Sequence, residues 1–519
     1  MQEIELRFQI PPEQRRPLLL WLKSAGSLRR ERLQAAYFDT AARDLARAGF
    51  ALRLRREGRR WVQTLKGAAP DGMTRLEHNV TLGQGAAMPA LDVARHEGHP
   101  SGAALLTRVA ELGGEAALLC LFRTDIRRHS VQIMQDGSVL ELALDEGQLL
   151  ADAEPGQREA PVLELEIELK SGSPGALLQL ARDCVSVHGL WLEHRSKALR
   201  GDLLARALPA APPALAAAAP WRRGSSGQQA LTQLLQAALE PLLGNASQIA
   251  SGSHAPEHLH QLRVGLLRLM VGLQLLQGLP AKGDGRQEQA LRALRAAAQA
   301  LRRSLSAARD ADVQTQTPWQ ASLDAAWRAT GLSDDDDDDD AADMADAGPR
   351  RSAAELLRGA QAQALMLDLL ALLSAAGGSS PESPPRPGSG GLLRRSCQAR
   401  LARWQAALQD SGKHITGLAA EDRHRLRQRL RRLRYALEQT AELLPSAQAD
   451  AQAQGLKPLH QQLGELNDLE QALQQARQQA GQQRRLQAAF ALGYLHQEHA
   501  LRLQQADASW QRWRKRSRR

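Results

Sequence analysis

Glu3, Glu5 and Arg7 alternate with Ile4, Leu6 and Phe8, so an extended chain carries the three charges on one side and the apolar residues on the other. The arrangement returns with Arg53 and Arg55 beside Leu52 and Leu54, with Thr64 and Lys66 about Leu65, and with Glu164, Glu166 and Glu168 among Leu163, Leu165, Ile167 and Leu169. Gathered carboxylates are the ligands a hard divalent cation takes. Guanidinium and ammonium groups are the partners of phosphate oxygens. Together they meet the needs of phosphoanhydride cleavage, a cation to withdraw charge and donors to hold the phosphates. A single strand of this kind is the ordinary wet face of a half-buried antiparallel sheet. Here, however, acidic faces lie at both ends of the segment and basic ones between them, so a sheet that closes would turn both signs into its interior. An interior of one sign would be far harder to hold, because buried like charges repel.

The elements that must position these residues follow from periodicity. Period-two alternation from residue 1 to about 170 predicts β-strands. Gly58 and Asp136-Gly137 predict two hairpins, and the sheet is therefore largely antiparallel. Helical spacing takes over in 175–205, and the prolines, alanines and Gly/Ser break within 206–227 predict a linker. From 228 to 511, Leu, Ala, Gln and Arg at spacings of three and four, with Leu262, Leu266, Leu269 and Leu273 as one stripe, predict a helical bundle. Two segments inside it predict disordered loops, the Asp334–Asp340 run with its flanks (about 330–350) and a Gly/Pro/Ser stretch (about 376–391). The acidic run lacks the alternating ligands and turn glycine of a calcium loop. A basic tail, 512–519, follows.

A length of 519 residues accommodates two domains. The formal net charge is +10, and nine acids crowd into Asp334–Asp340, Asp343 and Asp346, leaving +19 on the rest. That excess predicts a polyanionic partner: nucleic acid, an acidic membrane surface or a phosphate polymer. Aromatics at 3% count against single-strand stacking platforms. Cys120, Cys184 and Cys397 have no metal-ligand spacing and predict buried or inert thiols in a reducing compartment. No apolar run approaches the roughly 18 residues of a membrane span, and MQEIELRF does not open as a signal segment. A cytoplasmic protein is expected.

Glu3-x-Glu5-x-Arg7 is similar to the ExExK signature that opens CYTH, or triphosphate tunnel, domains. Further matches follow in family order over residues 1–205: Tyr37-Phe38-Asp39-Thr40, Leu52-Arg53-Leu54-Arg55, Thr64-Leu65-Lys66, Glu77, Arg128, Leu144-Asp145, the Glu-x-Glu strand from Glu164, and Ser196-Lys197. The resemblance implies an eight-stranded antiparallel β-barrel forming a tunnel, with helices packed outside. It assigns Glu3, Glu5, Asp145, Glu164 and Glu166 to a metal, Mg²⁺ or else Mn²⁺. Arg7, Arg53, Arg55, Lys66, Arg128 and Lys197 fall to the phosphate chain, with Glu3, Glu5, Arg7 and Lys66 as the catalytic set. Glu168 shares the acidic strand face, so the register has a second setting displaced by two residues. Arg7 stands where the signature has Lys, and a planar fork in place of a compact ammonium shifts the phosphate contacts.

The helical half contains a repeat: His260-Gln-Leu-Arg263 with Arg268, and His424-Arg-Leu-Arg427 with Arg431, Arg432 and Arg434. Each is followed by a predicted turn, Arg309-Asp310-Ala-Asp312 and Leu463-Gly464-Glu-Leu-Asn467-Asp468. On a helix His424, Arg427 and Arg431 form one stripe, as do His260 and Arg263. Such stripes are either solvated faces or, if they face each other, a basic surface. The motifs resemble those of the CHAD domain, which implies two pseudo-repeated helical halves binding inorganic polyphosphate, although Leu267 departs from the pattern of the first repeat. The expectation is therefore an α+β multidomain protein that hydrolyses tripolyphosphate and binds long-chain polyphosphate, with association to polyphosphate granules as a corollary. Alternatives are a noncatalytic polyphosphate-binding protein, a thiamine triphosphatase and an adenylyl cyclase. The basic tail adds non-specific nucleic-acid contact, or else only solubility.

Overall fold

The computed structural model describes residues 2–68, 74–152, 156–279, 285–312, 320–330, 352–377, 389–444, 447–482 and 486–517. The Asp334–Asp340 run, most of the Gly/Pro/Ser stretch, and the side chains of Glu3, Arg309, Asp310 and Asp312 lie outside the described residues.

The alternating segments form one antiparallel sheet: β1 Gln2–Gln9, β2 Arg29–Asp39, β3 Phe50–Glu57, β4 Arg60–Ala68, β5 Thr74–Gln84, β6 Leu119–Gln135, β7 Ser138–Asp152, β8 Gln157–Ser171 and β9 Trp191–Leu192. The strand order is β5-β4-β3-β2-β6-β7-β8-β1-β9, and β1 also pairs with β5 between Gln2–Ile4 and Thr74–Leu76. Among the described residues nine strands stand in place of the expected eight. The ninth has two residues, too few to show alternation. Gly58 (φ 62°) turns β3 into β4, and Asp136 (φ 48°) with Gly137 (φ 72°) occupies the two left-handed positions of the predicted β6–β7 hairpin.

The apolar face of the strands carries Leu6, Phe8, Leu140, Leu142, Leu144, Leu165 and Ile167, each at most 4% exposed. It packs on Leu18 and Leu22 of the helix Arg15–Ala25 and on Leu177, Ala181 and Val185 of Pro174–His188. Each fully buried Leu or Phe adds about 1.5–3 kcal/mol. The charged face is thereby left to look the other way.

The helical half begins at Gly227–Leu239, opened by a Ser226/Gln229 capping box, and includes Pro256–Leu276, Gly285–Asp312, Ala360–Gly377, Ser389–Gln409, Ala420–Thr440, Ala447–Gln482 and Leu486–Ser517. Both predicted turns are helical, at the end of Gly285–Asp312 and inside Ala447–Gln482. Two further segments are more ordered than composition suggests. Trp221, within 206–227, is fully buried, and its N–H donates to the Gln439 carbonyl (2.9 Å). Residues 512–517 continue the last helix, with Trp513 and Arg514 buried. One apolar core joins the two halves, running from Leu18 and Leu177 through Trp221 to Leu266, Leu367 and Leu430. Cys184 and Cys397 are buried, and burial pushes both thiols up to about 12; Cys120 is exposed. No helix among the described residues is long and apolar enough to cross a membrane.

Candidate active site and basic helical patch

Register brings the charged positions of the strands to one face. Across β1 and β8, Glu5 lies opposite Glu168 and Arg7 opposite Glu166; Glu164 lies opposite Asp145 of β7, and Asp145 opposite Arg128 of β6. Farther round, Arg53 and Arg55 of β3 pair with Thr64 and Val62 of β4, and Lys66 with Glu77 of β5. Paired residues share a side, as do residues two apart, so the acidic set and the basic set sit on the same surface.

Asp145, Glu164 and Glu166 form a trio whose ligand oxygens lie within 4.8 Å of one another, the first two fully buried. Glu168 is not part of it: its carboxylate pairs with Lys170 (2.7 Å), and it stands opposite Glu5 on β1. Lys197 Nζ sits among the three acids, 2.7 Å from Asp145 and 2.7 Å from Glu166, and also pairs with Glu164. Arg128 grips Asp145 through two hydrogen bonds of 2.7 Å and reaches Glu166, while Arg200 pairs with Glu164. Burial works against the Lys197 charge, but the carboxylates of Asp145, Glu164 and Glu166 raise its pKa above the ordinary lysine value. Burial likewise opposes ionised Glu166, and Lys197 and Arg128 hold it well below the usual carboxylate range.

Lys197 and Arg200 are presented by the helix Lys197–Ala205, whose first turn is capped by Ser196, its Oγ accepting from the Leu199 N–H (3.1 Å). That helix lies against β6 because of Gly201, where an added Cβ would come within 2.2 Å of the Phe122 ring. Arg7, 7% exposed, uses its fork on the chain just before this helix, donating to the carbonyls of His194 (3.2 Å) and Arg195 (3.5 Å); its Nε is 3.8 Å from Glu5. Two carbonyls held by one planar group is a contact lysine could not copy in the same way.

The basic strands have partners too. Lys66 pairs with Glu77 (2.6 Å), Arg55 pairs with Glu57, and Arg53 donates to the Tyr37 hydroxyl (3.2 Å). Burial, then the charge of Arg53, lowers the Arg55 pKa, which marks concentrated positive potential. A cavity of about 540 Å³ adjoins this end of the face, lined by Tyr37, Lys66, His194 and Ser196 on one side and Gln236, Leu239 and Glu240 of the helical half on the other. Arg200, Glu57 and Glu193 were not among the sequence candidates. Arg200 alone had a signal, three residues beyond Lys197 on a helix.

In the helical half, Arg263 and Arg431 come into electrostatic range of each other, together with Arg427 and Arg302. Burial and then Arg427 bring the Arg431 guanidinium down to about 10. Burial, Arg434, Arg427 and Arg431 bring His460 down to about 3. Nε of Arg302 and of Arg431 and Nε2 of His460 are buried without a hydrogen-bond partner among the described residues. Gly464, on the helix opposite, leaves room for Arg427: a Cβ there would lie 3.4 Å from its guanidinium. Other candidates are engaged differently. Arg268 and Arg434 share Glu438 (2.8 and 3.2 Å) and both stack on Tyr435. Arg432 lies over Trp404 (4.5 Å), His424 reaches Asn467 (3.3 Å), and His260 is exposed. Arg302 and His460 belong to neither repeat motif, and so carried no signal.

Residues 1–201 match the family model of the CYTH domain, and residues 233–477 that of the CHAD domain. Over 211 residues the chain is 29% identical to an inorganic triphosphatase of Haemophilus influenzae, an alignment taking in 39% of this chain and 55% of that protein. The chain thus spans about half the length of the curated relative it matches. Among solved structures, the CHAD domain of the plant Ricinus communis is similar at 23% identity, covering 57% of this chain and 94% of that one, with a TM-score of 0.37. A Hippeastrum adenylyl cyclase candidate with a dominant triphosphatase activity is similar at 19% identity, covering 40% of this chain and 96% of that one, with a TM-score of 0.27.

Proposed function

From a chain in which a CYTH domain at residues 1–201 is followed by a CHAD domain at residues 233–477, we propose a metal-dependent triphosphatase that cleaves inorganic tripolyphosphate to pyrophosphate and phosphate and holds polyphosphate on its helices. The observation that carries the reading is the buried Asp145, Glu164 and Glu166 trio on the same sheet face as Arg53, Arg55 and Lys66. Pure anion binding has no use for so many acids. The double pairing of β1, with β8 and with β5, supports a sheet wound into a tunnel around that face.

Three carboxylates this close fit a hard cation such as Mg²⁺ or Mn²⁺, which Asp145, Glu164 and Glu166 would hold, with Glu5 farther along the same face, opposite Glu168. Bound there, the metal supplies charge withdrawal from the phosphate oxygens. Arg53, Arg55 and Lys66 hold the phosphate chain, and Arg128 and Lys197 absorb charge that builds on the leaving pyrophosphate. A water oriented by a carboxylate attacks the terminal phosphorus in line, and the bridging P–O bond breaks toward the leaving group. Supplied with tripolyphosphate, pyrophosphate, long-chain polyphosphate, ATP and thiamine triphosphate, each with magnesium, manganese or chelator, the chain should release phosphate fastest from tripolyphosphate and none with chelator. Preference for an organic triphosphate would replace the substrate assignment, and silence across the panel would leave a binding protein.

For the helices, the carrying observation is the unpartnered Arg302, Arg431 and His460 nitrogens converging from three helices. Replacing Arg263, Arg427 and Arg431 together by Ala should weaken binding of long polyphosphate at least tenfold. It should also flatten the dependence of log affinity on log salt by roughly 0.7 per lost contact, the single-strand value. Arg432→Ala, turned to Trp404, should change little. Titration across a salt series checks this; affinity indifferent both to salt and to the triple substitution would refute the patch.

A further inference from the structure

The chain between β9 and the helix Lys197–Ala205 is held from two sides. From the sheet, Arg7 takes the carbonyls of His194 and Arg195, and the Arg7 carbonyl accepts the Glu193 N–H (2.7 Å). From the helical half, Gln363 Oε1 accepts the Leu192 N–H (2.7 Å), and Ser247 Oγ accepts the His194 N–H (3.0 Å) while donating its own proton to Glu193. Glu193 is 2% exposed and gathers further bonds from Arg195 (2.9 and 2.7 Å) and Gln9 (3.1 Å). Burial opposes its charge, yet Arg195 above all holds its pKa down to about 2, so the anchor is a carboxylate.

We infer that Ser247 and Gln363 of the helical half are positioning residues for the catalytic face: by fixing the backbone of residues 192–195 they set where Lys197 and Arg200 stand among Asp145, Glu164 and Glu166. The inference rests on the proposed hydrolysis. Only four residues lie between Leu192 and Lys197, and two between His194 and Lys197, so displacement at either anchor is passed to an ammonium whose three partners are all about one hydrogen bond away. Among the described residues the side-chain hydrogen bonds of Ser247 and Gln363 go to residues 192–194 and to Leu357, not to Asp145, Glu164, Glu166 or the basic strands. Each is buried, 3% and 4% exposed, and Gln363 is itself fixed by donating to the Leu357 carbonyl (2.6 Å). Their action is therefore through the segment alone.

The test uses the full chain with tripolyphosphate and magnesium. Ser247→Ala and Gln363→Ala should each lower kcat/KM about tenfold or more, the scale for losing a group that orients a metal ligand, and Ser247→Thr, which keeps the hydroxyl, should recover most of it. The Leu192 and His194 amides should exchange with solvent faster in the Ala variants, a readout that needs no turnover. Parent-like kcat/KM in both Ala variants despite faster exchange would show the contacts to be merely structural and overturn the inference, as would unchanged exchange. Absence of turnover in the parent would instead count against the proposed hydrolysis, with exchange still reporting on the clamp.

Discussion

Lys197→Ala should melt well below the parent in chelator and recover most of the difference in millimolar magnesium. The ammonium neutralises three acids of which two are fully buried and the third is 15% exposed at its side chain. Removing one member of a buried ion cluster costs about 3–5 kcal/mol, because the charges left behind keep their desolvation penalty. Arg128, on Asp145 and Glu166, and Arg200, on Glu164, remain, but the positive charge that pairs with all three acids is lost. A hard cation restores it, and at a hundred times its dissociation constant adds about 2.7 kcal/mol. Thermal melts of parent and variant, with chelator and with a magnesium series, measure this directly. A variant whose melting ignores the cation would mean that the trio is not where metal binds.

The second large effect is catalytic. Glu166→Gln and Glu5→Gln should each cost at least two orders of magnitude in metal-dependent turnover of tripolyphosphate, the usual scale for losing a charge-stabilising group in a water-poor site. Glu166 carries the prediction more strongly, since it joins the trio and touches both Lys197 and Arg128. Glu168→Gln is the register control, because Glu168 is turned to Lys170 and should stay near parental rate. Turnover of Glu166→Gln within about threefold of the parent would sink the assignment, by the same scale. Loss in the Glu168 variant alone would move the acidic set along the strand by two residues.

Much of this is legible in the sequence, and the reason is physical. Half-buried strands must alternate, so Glu5, Arg7, Arg53, Arg55, Lys66, Glu164 and Glu166 announced a common face. What alternation does not contain is register between strands: it does not say that Glu168 stands opposite Glu5 and pairs with Lys170 while Glu164 stands opposite Asp145. Asp145, Arg128 and Lys197 enter through the family resemblance, and Glu193 through neither route, because two of its partners, Ser247 and Gln9, lie far off in sequence. In the helical half the stripe of Arg427 and Arg431 was readable. Arg432, one residue on, is rotated by about 100° and so meets Trp404 instead, which the helical repeat itself dictates. Composition misled in two places: the proline- and alanine-rich segment around Trp221 and the basic stretch at 512–517 looked unstructured, yet each delivers a buried tryptophan to the core.

That core has a bearing on inheritance. Two modules joined like beads can be exchanged for other modules with only the string preserved. Here Leu177 and Leu367 belong to one apolar interior, Arg182 reaches Asp368 (2.8 Å), and the Glu193 carboxylate takes its proton donor from Ser247. A transplanted sheet half would leave behind both the greasy surface that covers its outer helix and the hydroxyl that seats its buried acid. In this chain a substitution on one side of that shared interior therefore bears on the packing of the other.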